Sequence, residues 1–91
     1  MNTFSELGLT FEEDTKCVTC DNGHCHSTVY GKNNEKEYNV HIQTDRQFSF
    51  FTIDARVLPF YDDEDNIFVE FTDENEAVKF VLDKFPGFKC L

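Results

Sequence analysis

Residues 16–30, KCVTCDNGHCHSTVY, hold three of the chain's four cysteines and two of its three histidines. Such side chains bind metal, form disulfides, or act as nucleophile and base. Zinc asks for four thiolate or imidazole ligands at tetrahedral corners. Cys17 and Cys20 have the two-residue gap of a zinc knuckle, and Cys25 with His26 or His24 would extend the set. A more distant ligand, His41 or Cys90, would have to be delivered by the fold. Neither a second Cys-x2-Cys nor a His-x3-His accompanies the first pair, so half of a zinc motif is present. A Cys20–Cys25 disulfide across a hairpin is a second chemistry, though so short a loop would add little stability. Thioredoxin-like redox chemistry needs a helix N-terminus at the thiols, whereas CVTC leads into a turn. Cys17 with His26 would make a nucleophile and base, but no third group is in place to orient them.

The centre of the stretch is Asn22-Gly23, the strongest turn signal in the chain. Type I′ turns need positive φ at both central positions, which Asn and Gly tolerate best. A two-residue loop here pairs Cys20 with Cys25, Thr19 with His26, Val18 with Ser27 and Cys17 with Thr28. Alternation then puts Cys20, Cys25, Val18 and Ser27 on one face and Cys17, Thr19, His26 and Thr28 on the other. That register opposes a zinc knuckle, because Cys17 and Cys20 diverge. The sequence therefore reads as a hairpin first and a metal site second, with Cys20 and Cys25 as small core residues and His24 and His26 facing water.

The second chemical resource is charge. Eighteen acids stand against eight bases, for a net charge of −10. No Lys or Arg occurs from Val57 through Val78, a span containing Asp62, Asp63, Glu64, Asp65, Glu70, Asp73, Glu74 and Glu76. Glu12, Glu13 and Asp14 form a second acidic knot. Such a chain is repelled by nucleic acid and by anionic membranes and attracted to basic surfaces. The acids have no paired nucleophile and no Gly-rich phosphate loop beside them. DDEDN lacks the Gly and the terminal Glu of a calcium loop. What remains is an anion-rich docking surface. Alternate residues on a strand lie roughly 6.6 Å apart at about 3.3 Å per residue, so carboxylates on neighbouring elements would imitate phosphate spacing. Phe48, Phe50, Phe68 and Phe80 fall off the expected core faces and would supply apolar anchors.

The elements that must carry these residues follow from periodicity. Asn2 or Thr3 caps a short helical segment through Leu7, ended by Gly8. EYNVHIQTDRQFSFFTID reads as a hairpin turning at Asp45-Arg46, pairing Ile42 with Ser49, Val40 with Phe51 and Tyr38 with Ile53. Pro59 argues for an edge strand or loop across ARVLPFYDDEDN. IFVEF is a strand with Ile67, Val69 and Phe71 on one side and Phe68 and Glu70 on the other. A helix follows, capped by Asp73 with Glu76, its apolar stripe made by Ala77, Val78, Val81, Leu82 and Phe85. Pro86-Gly87 ends it, leaving Phe88–Leu91 as a short strand or docked tail. The expectation is one α+β domain over residues 1–91: an antiparallel sheet of about four or five strands with the C-terminal helix on one face. Eleven Phe and three Tyr give it enough apolar area for a core.

No repeat, linker or membrane-length apolar run interrupts the chain. The N-terminal stretch shows no basic segment followed by an apolar block, which points to the cytoplasm and to reduced thiols. Small size, acidity and the lack of a visible catalytic motif make the chain similar, in composition only, to phage-encoded inhibitors of host defence or host nucleic-acid enzymes. That class would act in the host cytoplasm, some of its members by DNA mimicry. The function expected is thus non-enzymatic: residues 62–76 occupy a basic, nucleic-acid-handling surface of a partner protein, with no direct contact to nucleic acid or membrane. A homodimer through an exposed edge strand is compatible with this. The alternative is a small zinc-stabilised domain using Cys17, Cys20, Cys25 and His26.

Overall fold

The computed structural model describes residues 3–11, 22–32, 36–58 and 66–90. Five strands, β1 (Thr10–Phe11), β2 (Asn22–Tyr30), β3 (Glu37–Asp45), β4 (Phe51–Val57) and β5 (Ile67–Phe71), precede one helix, α1 (Glu74–Lys84). The strands pair antiparallel in chain order, β1-β2-β3-β4-β5, as an unbroken meander. The α+β class, the antiparallel sheet and the C-terminal helix are as the sequence indicates.

Alternation along the strands explains why one face is covered and the other open. Cys25, Val40, Ile42, Phe51, Ile53 and Ala55 point inward and are buried. Against them α1 lays Ala77, Val78 and Val81, with Phe85 at its C-cap. Burying a side chain such as Phe51 or Ile53 contributes about 2–3 kcal/mol each. The helix begins where Asp73, its N-cap, accepts a hydrogen bond from the Asn75 amide at 3.0 Å. Glu74 and Glu76 in the first turn and Lys84 in the last complement the helix dipole. Beyond α1 the chain turns at Pro86-Gly87 and docks, with Phe88 buried. The N-terminal segment meets this tail. Thr3 caps a single turn through its Oγ1 to the Glu6 amide, and Gly8 closes it at φ +103°. The Cys90 amide then donates to the Leu7 carbonyl at 2.9 Å, and Phe4 seats its ring 5.3 Å from that of Phe51.

Three expectations are corrected. Asn22 and Gly23 are not a turn; they open β2 and pair with Asp45 and Thr44 of β3. Glycine is required there for closeness rather than for a bend. A Cβ on Gly23 would stand 2.7 Å from Phe11 Cε1 and 2.9 Å from Leu9 Cδ2, so its absence lets the β1 segment pack across β2. Cys25 pairs with Ile42 and is bonded to Cys90, so the expected Cys20–Cys25 disulfide is overturned; Cys20 itself lies outside the described residues. The second correction is one of register. Ile42 faces Ile53 rather than Ser49, Val40 faces Ala55 and Tyr38 faces Val57. The connection is longer than two residues because Asp45 organises it. Its carboxylate accepts from the Ser49 amide at 2.7 Å and from the Ser49 hydroxyl, while the Phe48 amide bonds the Asp45 carbonyl and Phe48 takes φ +54°. Those Ser49 bonds hold the Asp45 carboxyl below its ordinary pKa. Thr44, buried at the same corner, donates through Oγ1 to the Phe50 carbonyl at 2.6 Å. The slip is an even number of residues, so every side chain keeps its face. Third, Ala55–Val57 belong to the interior strand β4, not to an edge strand or loop with Pro59.

Candidate functional site

Among the described residues, the helix, the tail and the N-terminal turn all cover the inner face, and the outward side chains of β2–β5 share the opposite, open face. Register arranges them in rows. His26, His41, Asp54 and Phe68 are successive cross-strand partners over β2, β3, β4 and β5. The neighbouring row is His24, Gln43, Thr52 and Glu70, extended by Thr10 of β1. Thr28, Asn39 and Arg56 make a third.

All three histidines of the chain thus meet on two adjacent strands. The His24 and His41 rings lie 6.2 Å apart between centroids, tilted by 31°. Partial burial pushes the His41 pKa below its usual value, and the neighbouring charges of His24 and His26 add to this while Asp54 opposes it. Asp54 is also engaged by Arg56, whose Nε lies 3.5 Å from Oδ1. As the side chains stand, no three His, Cys, Asp or Glu among the described residues are gathered tightly enough to hold a metal ion.

Of the cysteine-centred set, Cys25 and the two neighbouring histidines are not brought together. Cys25 points inward, 2% exposed, and is disulfide-bonded to Cys90 across 65 residues of chain. His24 and His26, its sequence neighbours, project from the opposite face, so neither shares a ligand sphere with Cys25. Cys17 and Cys20 lie outside the described residues. The sequence offered both cysteines of the bridge but no proximity between them, since their contact exists only once the tail has docked over β2.

Of the expected partner-binding acids, Asp62, Asp63, Glu64 and Asp65 lie outside the described residues. Glu70 is exposed on the open face of the edge strand β5. Asp73 and Glu76 are exposed at the start of α1, immediately beyond that strand. Glu74 is partly buried and accepts from the Phe4 amide at 3.3 Å, which gives it a structural task. The aromatic anchors divide as well. Phe48 packs on Phe11 and Phe51, and Phe80 on Phe71. Phe50 and Phe68 are 42% and 65% exposed. Lys32, Lys36 and Lys84 collect elsewhere, around a cavity of about 250 Å³ floored by Tyr38, Ile67 and Phe85. There Lys32 makes a solvent-exposed ion pair with Asp83 at 3.9 Å, of a kind that contributes little stability.

The histidine cluster escapes a reading of the sequence because it depends on β2 pairing with β3. The shared parity of His24 and His26 is visible, and so is the outward parity of His41. Their meeting is hidden as long as β2 is paired with residues 17–20. Comparison with known proteins finds no matching family model, no matching curated protein and no matching solved structure.

Proposed function

We propose that this is a non-enzymatic interaction protein that docks its acidic β5 margin onto a basic surface of a protein that handles nucleic acid. The observation that carries the reading is the span from Val57 through Val78, free of Lys and Arg, whose described portion ends at an exposed edge strand and helix start. Glu70, Asp73 and Glu76 stand exposed there. Phe68, pairing beside Glu70 on the same open face, supplies apolar area that charge alone lacks. Strand β5 carries Glu70, and the start of α1 carries Asp73 and Glu76; electrostatic complementarity sets the encounter rate and the salt dependence.

The test is capture of binding partners by the immobilised chain from host lysate, repeated at low and high salt. The expected partner is a basic nucleic-acid-binding protein, released by salt and by competing duplex DNA, and lost on Glu70→Lys or Phe68→Ala substitution. Tight binding that ignores ionic strength and duplex DNA would refute the reading.

A further inference from the structure

We propose that the lysine-rimmed cavity at the C-terminal end of α1 binds a small aromatic anion, a single ring carrying a phosphate monoester. It goes beyond the docking margin, since none of Glu70, Asp73 and Glu76 lines the cavity. Lys32, Lys36 and Lys84 are three of the chain's eight bases, and they border one cavity of about 250 Å³ in a chain of net charge −10. Among the described residues no acid lines it. The fold brings these lysines from two directions. The Gly31 amide donates to the Lys36 carbonyl at 2.8 Å, which draws together the ends of the β2–β3 connection that carry Lys32 and Lys36. Lys84 arrives from the last turn of α1, where its charge also offsets the negative end of the helix dipole.

Beneath the lysines the surface is apolar. Tyr38 and Phe85 meet edge to face, 5.1 Å between ring centroids, and Ile67 lies beside them. Gly31 rests against the Tyr38 ring, where a Cβ would stand 2.9 Å from Cε2. A further ring can stack or abut on such a pair. Size narrows the class. A cavity of about 150 Å³ holds one benzene, whereas drug-sized ligands ask for roughly 300–1,000 Å³. The volume here lies between these and suits one ring with one charged group. Ammonium groups grip phosphate oxygens through charge-assisted hydrogen bonds. Lys32 already pairs with Asp83 at 3.9 Å, but both side chains are largely exposed. Such a pair is weak, so an incoming phosphate competes with Asp83 for that ammonium.

The experiment titrates phenyl phosphate into the full chain and follows backbone amides and methyl groups by NMR. Inorganic phosphate and phenol serve as charge-only and ring-only probes. One site is expected, with the Gly31 amide and the Ile67 methyls shifting together, and with affinity that falls as salt is raised. Both partial probes should bind more weakly. Lys32→Gln with Lys84→Gln should weaken phenyl phosphate by more than about tenfold, as loss of two charged hydrogen bonds implies. Unchanged melting of that variant would show that the fold is intact. Asp83→Asn tests the site with every lysine in place, and should tighten binding by removing the competitor for Lys32. Phenyl phosphate that leaves Gly31 and Ile67 unmoved, inorganic phosphate that binds as tightly, affinity indifferent to the two lysines, or weaker binding by Asp83→Asn would each overturn the proposal.

Discussion

Breaking the Cys25–Cys90 bridge should cost this chain a large part of its stability. The two residues are 65 apart in sequence. In the chain-entropy account, closing a loop of that length in the unfolded ensemble removes about 14.5 cal/mol/K, or roughly 4 kcal/mol at 25 °C. A 91-residue domain has a total stability on the order of 5–14 kcal/mol at about 0.05–0.15 kcal/mol per residue. The bridge is thus comparable to the margin by which the fold persists. The cleanest perturbation is reduction, which changes no side chain, in a protein carrying Cys17→Ser and Cys20→Ser. Urea unfolding would be followed with and without reductant. At a slope of about 1–2 kcal/mol/M, the reduced midpoint should fall by roughly 2–4 M. Thiol titration should find none free before reduction and two after. The ends should loosen first, because the Cys90 amide to Leu7 carbonyl bond and the seat of Phe88 then hold the tail without a covalent tie. Coincident midpoints for the oxidised and reduced forms would refute the reasoning, as would two free thiols in the native oxidised protein.

Three further outcomes follow from single groups. Gly23→Ala should destabilise by about 1–3 kcal/mol, the usual range for overpacking, since its Cβ would meet Phe11 and Leu9 inside 3 Å; a neutral melt would mean that β1 does not lie across β2. Asp73→Ala should lower stability by about 1 kcal/mol, through loss of the N-cap bond to Asn75, with most of it recovered by Asp73→Asn, measured by thermal melting. Stability should also decline as pH falls through 6.5. The folded-state pKa of His41 is lowered by burial and by His24 and His26, against Asp54. The unfolded chain therefore binds the proton first, stability rises with pH across that window, and the penalty is complete below the folded-state pKa. In His41→Asn the slope between pH 7 and 5 should flatten, and an unchanged slope would assign it to other groups.

The helix, the IFVEF strand and the faces of β3 and β4 are legible because each is set by local periodicity. Even where the β3–β4 register slips, the slip is even, and Val40, Ile42, Phe51 and Ile53 remain core residues. What the chain conceals is non-local. Asn22-Gly23 carries the strongest turn signal in the sequence, yet Gly23 is spent on a close approach between segments. A local rule cannot distinguish a glycine needed for positive φ from one needed for lack of a side chain. The Asp45 corner fails for a related reason: two-residue turns are judged from the residues at the bend, whereas this loop is set by Asp45 reaching Ser49 and Thr44 reaching Phe50. The bridge and the histidine group fall to the same blindness. Each joins residues whose proximity requires β2 to have found β3, or the tail to have found β2.

Strand β2 shows how one segment serves two ends without conflict. His24, Cys25 and His26 are consecutive, and alternation sends the middle residue inward and its neighbours outward. Inward, Cys25 fastens the strand to the tail and so to everything packed beneath the sheet. Outward, His24 and His26 stand on the face opposite the core that Cys25 enters. Changes among the outward groups can alter what the open face binds at little cost to folding, because the inner face carries the apolar burial. Changes at Gly23 or Cys25 act in the opposite sense, loosening the platform while leaving the chemistry of its surface intact. The docking proposal for this chain is therefore best tested on the exposed outward residues Phe68 and Glu70, where a lost interaction is not confused with a lost fold.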